Sequence, residues 1–334
     1  MERYTTPPAD VAAGFLLWLK ERHVHKAVGK LFTVLRVALL IGVSFILLYP
    51  LLFMFSNAFK PIEQAYDASV IWLPKSLTLD NFRDAMKAID FWKSLNTTLA
   101  VSFLSALLQI LSCMLAGYGF ARFQFRGKGL LFALVILTII VPEQLVAIPK
   151  YMQYRRFTFG GLLSLFSFFT GGRGYVNLID TPWVFYLPAL LGAGFKSGLF
   201  IFIYRQFFRG LPKELEDSAA LDGCGFVGTF LRVMLPNAKP AMVTVFLFSV
   251  VWYWNEYYAP AMYMSNNWTL STALAVIKYN LAQTALEGAN YLDAFAYITR
   301  VQAAALLVIA PLLILYVFLQ RFFTESIERT GIVG

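Results

Sequence analysis

The chain has 334 residues, 59% hydrophobic and only 14% charged, with a formal net charge of +9 at pH 7. A soluble globular domain, with about 25% charged residues, is excluded. The two cysteines, Cys113 and Cys224, fit neither a disulfide framework nor a metal site.

Residues 1–33 form an N-terminal segment whose stretch "VAAGFLLWLKERHVHK" has too short an apolar part to span a bilayer and runs into charge. It shows no cleavable signal peptide and reads as an interfacial amphipathic helix or a loose tail. Val37 to Phe59, Leu95 to Ala121 and Val301 to Gln320 then each run without Asp, Glu, Lys or Arg. About 20 apolar residues of helix cross a bilayer core of about 30 Å. Three further stretches are interrupted: one by Pro142 and Glu143, one by Lys196 and one by Glu256. The expectation is an all-α polytopic membrane protein with a transmembrane domain over 34–325. Its six spans lie near 34–58, 95–121, 129–149, 183–208, 239–262 and 301–322, and a tail follows over 326–334.

Six spans put both termini on one side, which carries sixteen of the 28 Lys and Arg residues against eleven on the other. The short basic loop 122–128 makes that side cytoplasmic. The stretch "ELEDSAALDGCG" at 214–225 therefore also faces the cytoplasm, between spans four and five. It has good helix formers, Pro212 suited to a first turn, Gly223 as a stop, and Glu214, Glu216 and Asp217 where they complement the helix dipole. A docking element and a solvated loop helix both satisfy that pattern.

The spacing favours docking. Asp217-Ser218-Ala219, three residues, Gly223, nine residues, then Val233-Met234-Leu235-Pro236 resembles the EAA---G---------I-LP loop of binding-protein-dependent ABC importer permeases. Asp217 replaces the usual Glu, and Ser218 the first Ala. The resemblance runs from about residue 45 to 323, through "SNAFK", "WLPKSLTLDNF", Asn96-Thr97, "GYGFARFQFRG", "IVPEQLVAIPKYM", "NLIDTPW" and "WNEY". It is similar to the six-span second permease of the maltose transporter family.

The resemblance implies the type I ABC importer permease fold and a cytoplasmic coupling helix over 213–223. That helix would dock into the ATPase subunits through Glu214, Glu216, Asp217, Ser218, Ala219, Ala220, Asp222 and Gly223, with Leu235 and Pro236 behind it. It also implies two ATPase subunits that bind the ATP and Mg, a second and different permease, an extracellular solute-binding protein and a carbohydrate substrate. This chain itself would hold no cofactor and, being embedded in a lipid bilayer, is expected to have no nucleic-acid partner. The C-terminus departs, with Ser326 and Thr330 where glycines are expected and Val333 where the family has Lys. A second departure is the long connection at roughly 155–176, which reads as re-entrant or interfacial packing, or as extra contact with the binding protein.

Ionisable residues at membrane depth are functional candidates. Glu256, with Trp252, Trp254, Asn255 and Tyr257, offers a sugar path flat apolar faces and hydrogen-bonding groups; the same aromatics also suit an interfacial belt. Lys196 is expected to face a polar cavity or pair with an acid such as Glu256. It belongs to no phosphate loop, since Phe195 precedes it where Gly is required. Gly194 and Gly198 read as a small-xxx-small packing pair. Asp180 and Thr181 before Pro182 read as the capped start of span four.

The only histidines, His23 and His25, lie in the tail, and no phosphate-binding motif occurs. Two rival classes are therefore poorly supported. A membrane-embedded enzyme would need His, Asp or Ser clusters at membrane depth. A secondary transporter would need ionisable residues at midplane in several spans. A permease for another solute class, such as a sugar phosphate or a peptide, is the nearer alternative.

Overall fold

The computed structural model describes residues 9–67, 69–70, 72–162, 174–287 and 294–331. Helix α1 (Ala9–Ala58) runs unbroken from the N-terminal segment through the first span, so the expected interfacial piece is the start of the same helix. Then come α2 (Asp80–Ala88) and α3 (Phe91–Arg122), followed by α4 (Lys128–Ile140) and α5 (Ala147–Arg155). After them lie α6 (Trp183–Leu190), α7 (Ser197–Gly210), α8 (Glu214–Leu221), α9 (Lys239–Asn255) and α10 (Tyr258–Tyr263). The chain closes with α11 (Leu270–Ala275), α12 (Ile277–Glu287) and α13 (Ala294–Gly331).

Helix α3 is the axis of the bundle and packs on α6, α7 and α9. Its buried positions, Thr98, Val101, Ser105, Gln109, Cys113 and Gly117 among them, recur every three or four residues and so share one face. Small residues on that face let backbones come close. A Cβ on Gly117 would lie 2.5 Å from the Tyr204 Cβ, so α3 and α7 meet almost backbone to backbone. Helix α1 packs chiefly on α13; most of its apolar stretch from Lys30 is exposed, and its end, at Met54 and Ser56 to Ala58, is buried.

Spans one, two and six are single helices, but the three interrupted stretches are each built from two. In the third, Pro142 forces Val141 into an extended conformation, and the path bends by 101° between 128–140 and 143–155. In the fourth, α6 ends at Leu190 and α7 begins after Lys196, with Gly192 (φ 70°) and Lys196 (φ 57°) in the left-handed region. In the fifth, α9 stops at Asn255 and Glu256 is extended, so the predicted 239–262 helix is two pieces. The proline and glycines account for the first two interruptions.

Unwound backbone in a membrane must find partners inside the protein. At the fourth-span break, Gln109 Nε2 donates to the Phe195 carbonyl at 2.6 Å and to Ser197 Oγ at 2.7 Å. Ser249 Oγ of α9 donates to Gln109 Oε1 at 2.8 Å, and Ser112 Oγ to the Ala189 carbonyl at 2.5 Å. Gln109 is fully buried and so ties three spans together.

Outside the membrane, the quoted motifs hold each other. Asn81 Nδ2 donates to the carbonyls of Ala58 and Lys60, and Lys60 Nζ donates to the Val70 carbonyl at 2.8 Å. Arg300 pairs with Asp84 at 2.7 Å, fastening α13 to α2. Asp180 does not cap α6. Its carboxylate accepts from Ser265 Oγ, the Asn266 backbone and Asn266 Nδ2, and α6 starts behind Pro182 instead. The small-residue pair also divides: Gly198 lets α7 approach α4 at Thr138 and Val135, whereas Gly194 lies in the break against Tyr253. Of the 155–176 connection, Phe157 and Val176 form an antiparallel bridge, and 163–173 lie outside the described residues.

Replacing Gln109 by Leu leaves the Phe195 carbonyl and Ser249 without their partner, a loss of about 1–3 kcal/mol for each buried group left unsatisfied. Gln109→Leu is expected to lower the thermal unfolding midpoint of the purified chain in detergent. Leu107→Ala, on the exposed side of α3, should leave it close to the parent.

Candidate functional site

Two places concentrate polar chemistry. The first is α8 with the turn behind it. The helix ends in a Schellman arrangement: the Gly223 N–H donates to the Ala220 carbonyl at 3.0 Å and the Cys224 N–H to the Ala219 carbonyl at 2.9 Å. Gly223 holds φ 80°, where a side chain would strain the backbone. A helical turn (Phe226–Thr229) and a π-helical stretch (Phe230–Met234) lead to Leu235 and Pro236, and Met234 and Phe230 are buried under them.

The acidic residues of α8 separate by direction. Glu216 faces the bundle: Tyr118 Oη donates to its Oε1 at 2.8 Å, and Arg122 Nε lies 3.4 Å from its Oε2. Arg122 Nη2 also donates to the Leu211 carbonyl at 2.8 Å. Ala219 is buried against the same side. Glu214, Asp217, Ser218, Ala220 and Asp222 are exposed. So is an apolar group that the sequence reading left out: Leu221 at 89%, Phe226 at 77% and Val227 at 71%. Their signal was present, since apolar residues grouped in a polar loop between spans need a cover. Tyr118 and Arg122 stand in "GYGFARFQFRG", yet nothing in the spacing pairs them with a residue almost a hundred positions away.

The second place is where the three broken spans converge. Glu143 follows the break after α4, Lys196 sits in the α6–α7 break, and Glu256 ends α9. Glu143 lies within electrostatic reach of Lys150, Lys196 and Glu256, close to the Lys196 backbone. The expected pairing of Lys196 with Glu256 is replaced by this arrangement: among the described residues no ion pair joins them, and the acid beside Lys196 is Glu143. The reason is local. Glu256 turns its Oε1 back onto the N–H groups of Tyr258 (2.9 Å) and Ala259 (3.1 Å), capping the start of α10.

The aromatics divide as well. Trp254 is buried and donates from Nε1 to the Val308 carbonyl at 3.0 Å, which places it in the contact with α13. Trp252 turns toward Phe200, and its ring centroid lies 6.0 Å from Lys196 Nζ. Asn255 is exposed and bonds back to the Val251 carbonyl. Glu143, Lys150 and Lys196 line a groove of about 680 Å³ between α4 and the start of α7. Behind it, Glu143, Lys150 and Glu256 also border a cavity of about 40 Å³ with Tyr154, Tyr253 and Tyr263. Sequence reasoning noted Glu143 only as an interruption and passed over Lys150.

A helical bundle with broken spans around a charged groove, and a short helix braced beneath it, is the architecture of a membrane transport component. Residues 109–329 match the family described as binding-protein-dependent transport system inner membrane component. The chain belongs to that family. It is 26% identical over 315 residues to Protein LplC of Bacillus subtilis (strain 168), covering 93% of this chain and 98% of that protein. It is also 26% identical over 297 residues to the arabinooligosaccharides transport system permease protein AraQ of Halalkalibacterium halodurans, covering 87% and 93%. In fold it resembles a chain of the crystal structure of a bacterial ABC transporter involved in the import of the acidic polysaccharide alginate. The TM-score is 0.65 at 19% identity, over 88% of this chain and 97% of that one.

If Glu216 holds α8 to α3, Glu216→Ala should strand the half-buried Arg122 and destabilise the purified chain measurably in thermal melts. Asp217→Ala, one residue on but exposed, should stay within about 0.5 kcal/mol of the parent.

Proposed function

We propose that this chain is the permease subunit of an ATP-driven importer that takes a sugar or oligosaccharide from an extracellular solute-binding protein and releases it into the cytoplasm. The observation that carries the reading is the brace from Glu216 to Tyr118 and Arg122. It makes α8 a rigid extension of the longest-packed span while leaving an apolar face of Leu221, Phe226 and Val227 outward. An element that transmits force needs both features: a stiff joint to the moving bundle and a surface for the motor to grip.

In this reading α8 is the coupling helix. Closure of two ATPase subunits on bound ATP and Mg moves α8, and α3 follows because Glu216 ties it there. The chain is not itself an enzyme, and phosphoryl transfer belongs to the partners. Its second half-channel comes from a different permease, against which the open groove between α4 and α7 would face. Both termini lie in the cytoplasm, consistent with the basic 122–128 loop. The sugar assignment is supported by the carbohydrate named for relatives such as the arabinooligosaccharide permease, and by an indole and lysines beside one groove.

Phe226→Asp puts a charge into the proposed contact, and Gly223→Pro disrupts the left-handed turn. Both variants should insert normally but lose the ATPase subunits on purification and lose uptake. Wild-type uptake by both would remove α8 from the coupling role. Separately, externally added thiol reagents should label a cysteine placed at Lys75 and spare one at Glu216. Labelling at Glu216 from outside would reverse the topology.

A further inference from the structure

Lys128, Arg205 and Arg209 gather at the end of the bundle that carries α8. Lys128 opens α4, and Arg205 and Arg209 lie one turn apart near the end of α7, both within electrostatic reach of Lys128. Such a cluster of like charges costs free energy unless something answers it. Arg209 complements the dipole of α7 from its last turn, but Lys128 opposes that of α4 from its first. Helix α4 packs chiefly on α7, and α7 packs on α3 and α9 as well. The charged residues those two helices bring to this end are Arg122 and Lys239, both basic. The loop between α3 and α4 carries no acid, and the chain between α7 and α9 carries Glu214, Glu216, Asp217 and Asp222. Glu216 is engaged by Tyr118 and Arg122, and the other three are exposed on α8 and its turn. Among the described residues no carboxylate lies within ion-pair distance of Lys128, Arg205 or Arg209.

Depth identifies the occupant. Arg205 precedes the end of α7 at Gly210 by about 7.5 Å along the axis, at a rise of about 1.5 Å per residue. Its guanidinium lies 3.9 Å from the centroid of the Phe132 ring, and its Nε is buried without a hydrogen bond. Phe132 is itself one turn inside α4. The cluster thus reaches below the helix ends, to the level where a bilayer passes from headgroup to hydrocarbon. Lys128, Phe132, Ile136 and Ile139 share one face of α4, and all four are half-buried or exposed. Cations above an uncovered apolar face match a molecule that is anionic at one end and apolar at the other. We propose that Lys128, Arg205 and Arg209 bind the phosphodiester headgroup of an anionic phospholipid, whose acyl chains lie along Ile136 and Ile139. The planar donors of Arg205 and Arg209 suit phosphate oxygens, and Lys128 adds a point charge. A protein partner in the aqueous phase would meet Arg209 but would not reach Arg205 at its depth. Bound there, the phosphate offsets the repulsion between α4 and α7 and fastens the two helices beside the Glu216 brace. The inference is independent of which solute the chain carries.

The test titrates the full chain, purified in a neutral detergent, with dioleoyl phosphatidylglycerol or dioleoyl phosphatidylcholine and counts bound lipid by native mass spectrometry. Phosphatidylglycerol is expected to bind about tenfold tighter than phosphatidylcholine. Arg205→Gln should remove about that tenfold, the loss of one charge-assisted hydrogen bond, and leave phosphatidylcholine binding unchanged. Arg205→Lys, which keeps the charge, should retain most of the preference. Arg209 is exposed, so Arg209→Gln should fold like the parent and lower the preference in the same direction even if Arg205→Gln does not fold. Arg232→Gln, at an exposed position of the same end outside the cluster, should bind both lipids like the parent. Equal binding of the two lipids, an unchanged preference in Arg209→Gln, or an equal loss in Arg232→Gln would overturn the inference. Displacement of the lipid by inorganic phosphate at equal concentration would assign the cluster to a free anion instead. Loss of the lipid when the ATPase subunits are added would assign it to a protein partner. Solute uptake is read separately, so each of these failures leaves the permease reading standing.

Discussion

The bilayer leaves no water for a broken helix, and Gln109 is how this protein tolerates one. A span that stops at Leu190 and resumes at Ser197 exposes carbonyls that would cost several kcal/mol in hydrocarbon. A single fully buried amide takes two roles at once: it donates to Phe195 and Ser197 and accepts from Ser249. With the break satisfied, Lys196 can stand at its end in a left-handed conformation and point at the groove.

That constraint also explains why charge gathers where it does. Glu143, Lys196 and Glu256 each sit at an interruption, because only there is local backbone available to hold a charged side chain. The Lys196 backbone lies beside Glu143, and the amides of Tyr258 and Ala259 donate to Glu256. The helix breaks and the ionisable residues are one device. Continuous helices, such as α3 and α13, carry the packing instead.

A mechanical line joins the two sites. Helix α3 carries Gln109 near its middle and Tyr118 with Arg122 at its C-terminal end, about three turns further along. Displacement of α8 therefore reaches the fourth-span break through one rigid helix. Gly117 keeps α7 pressed against α3 along that path, since nothing larger fits beside Tyr204. A motor gripping the exposed face of α8 would thus act on the groove without contacting it.

Much of this was legible in the chain. Charge-free runs gave the uninterrupted spans because hydrocarbon thickness sets a length. Pro142, Lys196 and Glu256 marked the broken spans, and the spacing from Asp217 to Pro236 marked the short helix between spans four and five with its Gly223 stop. These are local or periodic properties, carried by neighbours within a few turns. What only the tertiary structure decided was which side chains met. Glu216 could have faced outward with Asp217, Trp254 could have shared the groove with Trp252, and Asp180 could have capped its own helix. Glu256 could have paired with Lys196, had two nearer amides not taken its carboxylate. Each of those choices depends on helices far apart in sequence arriving at one depth, and composition and spacing along a single helix contain no record of that depth.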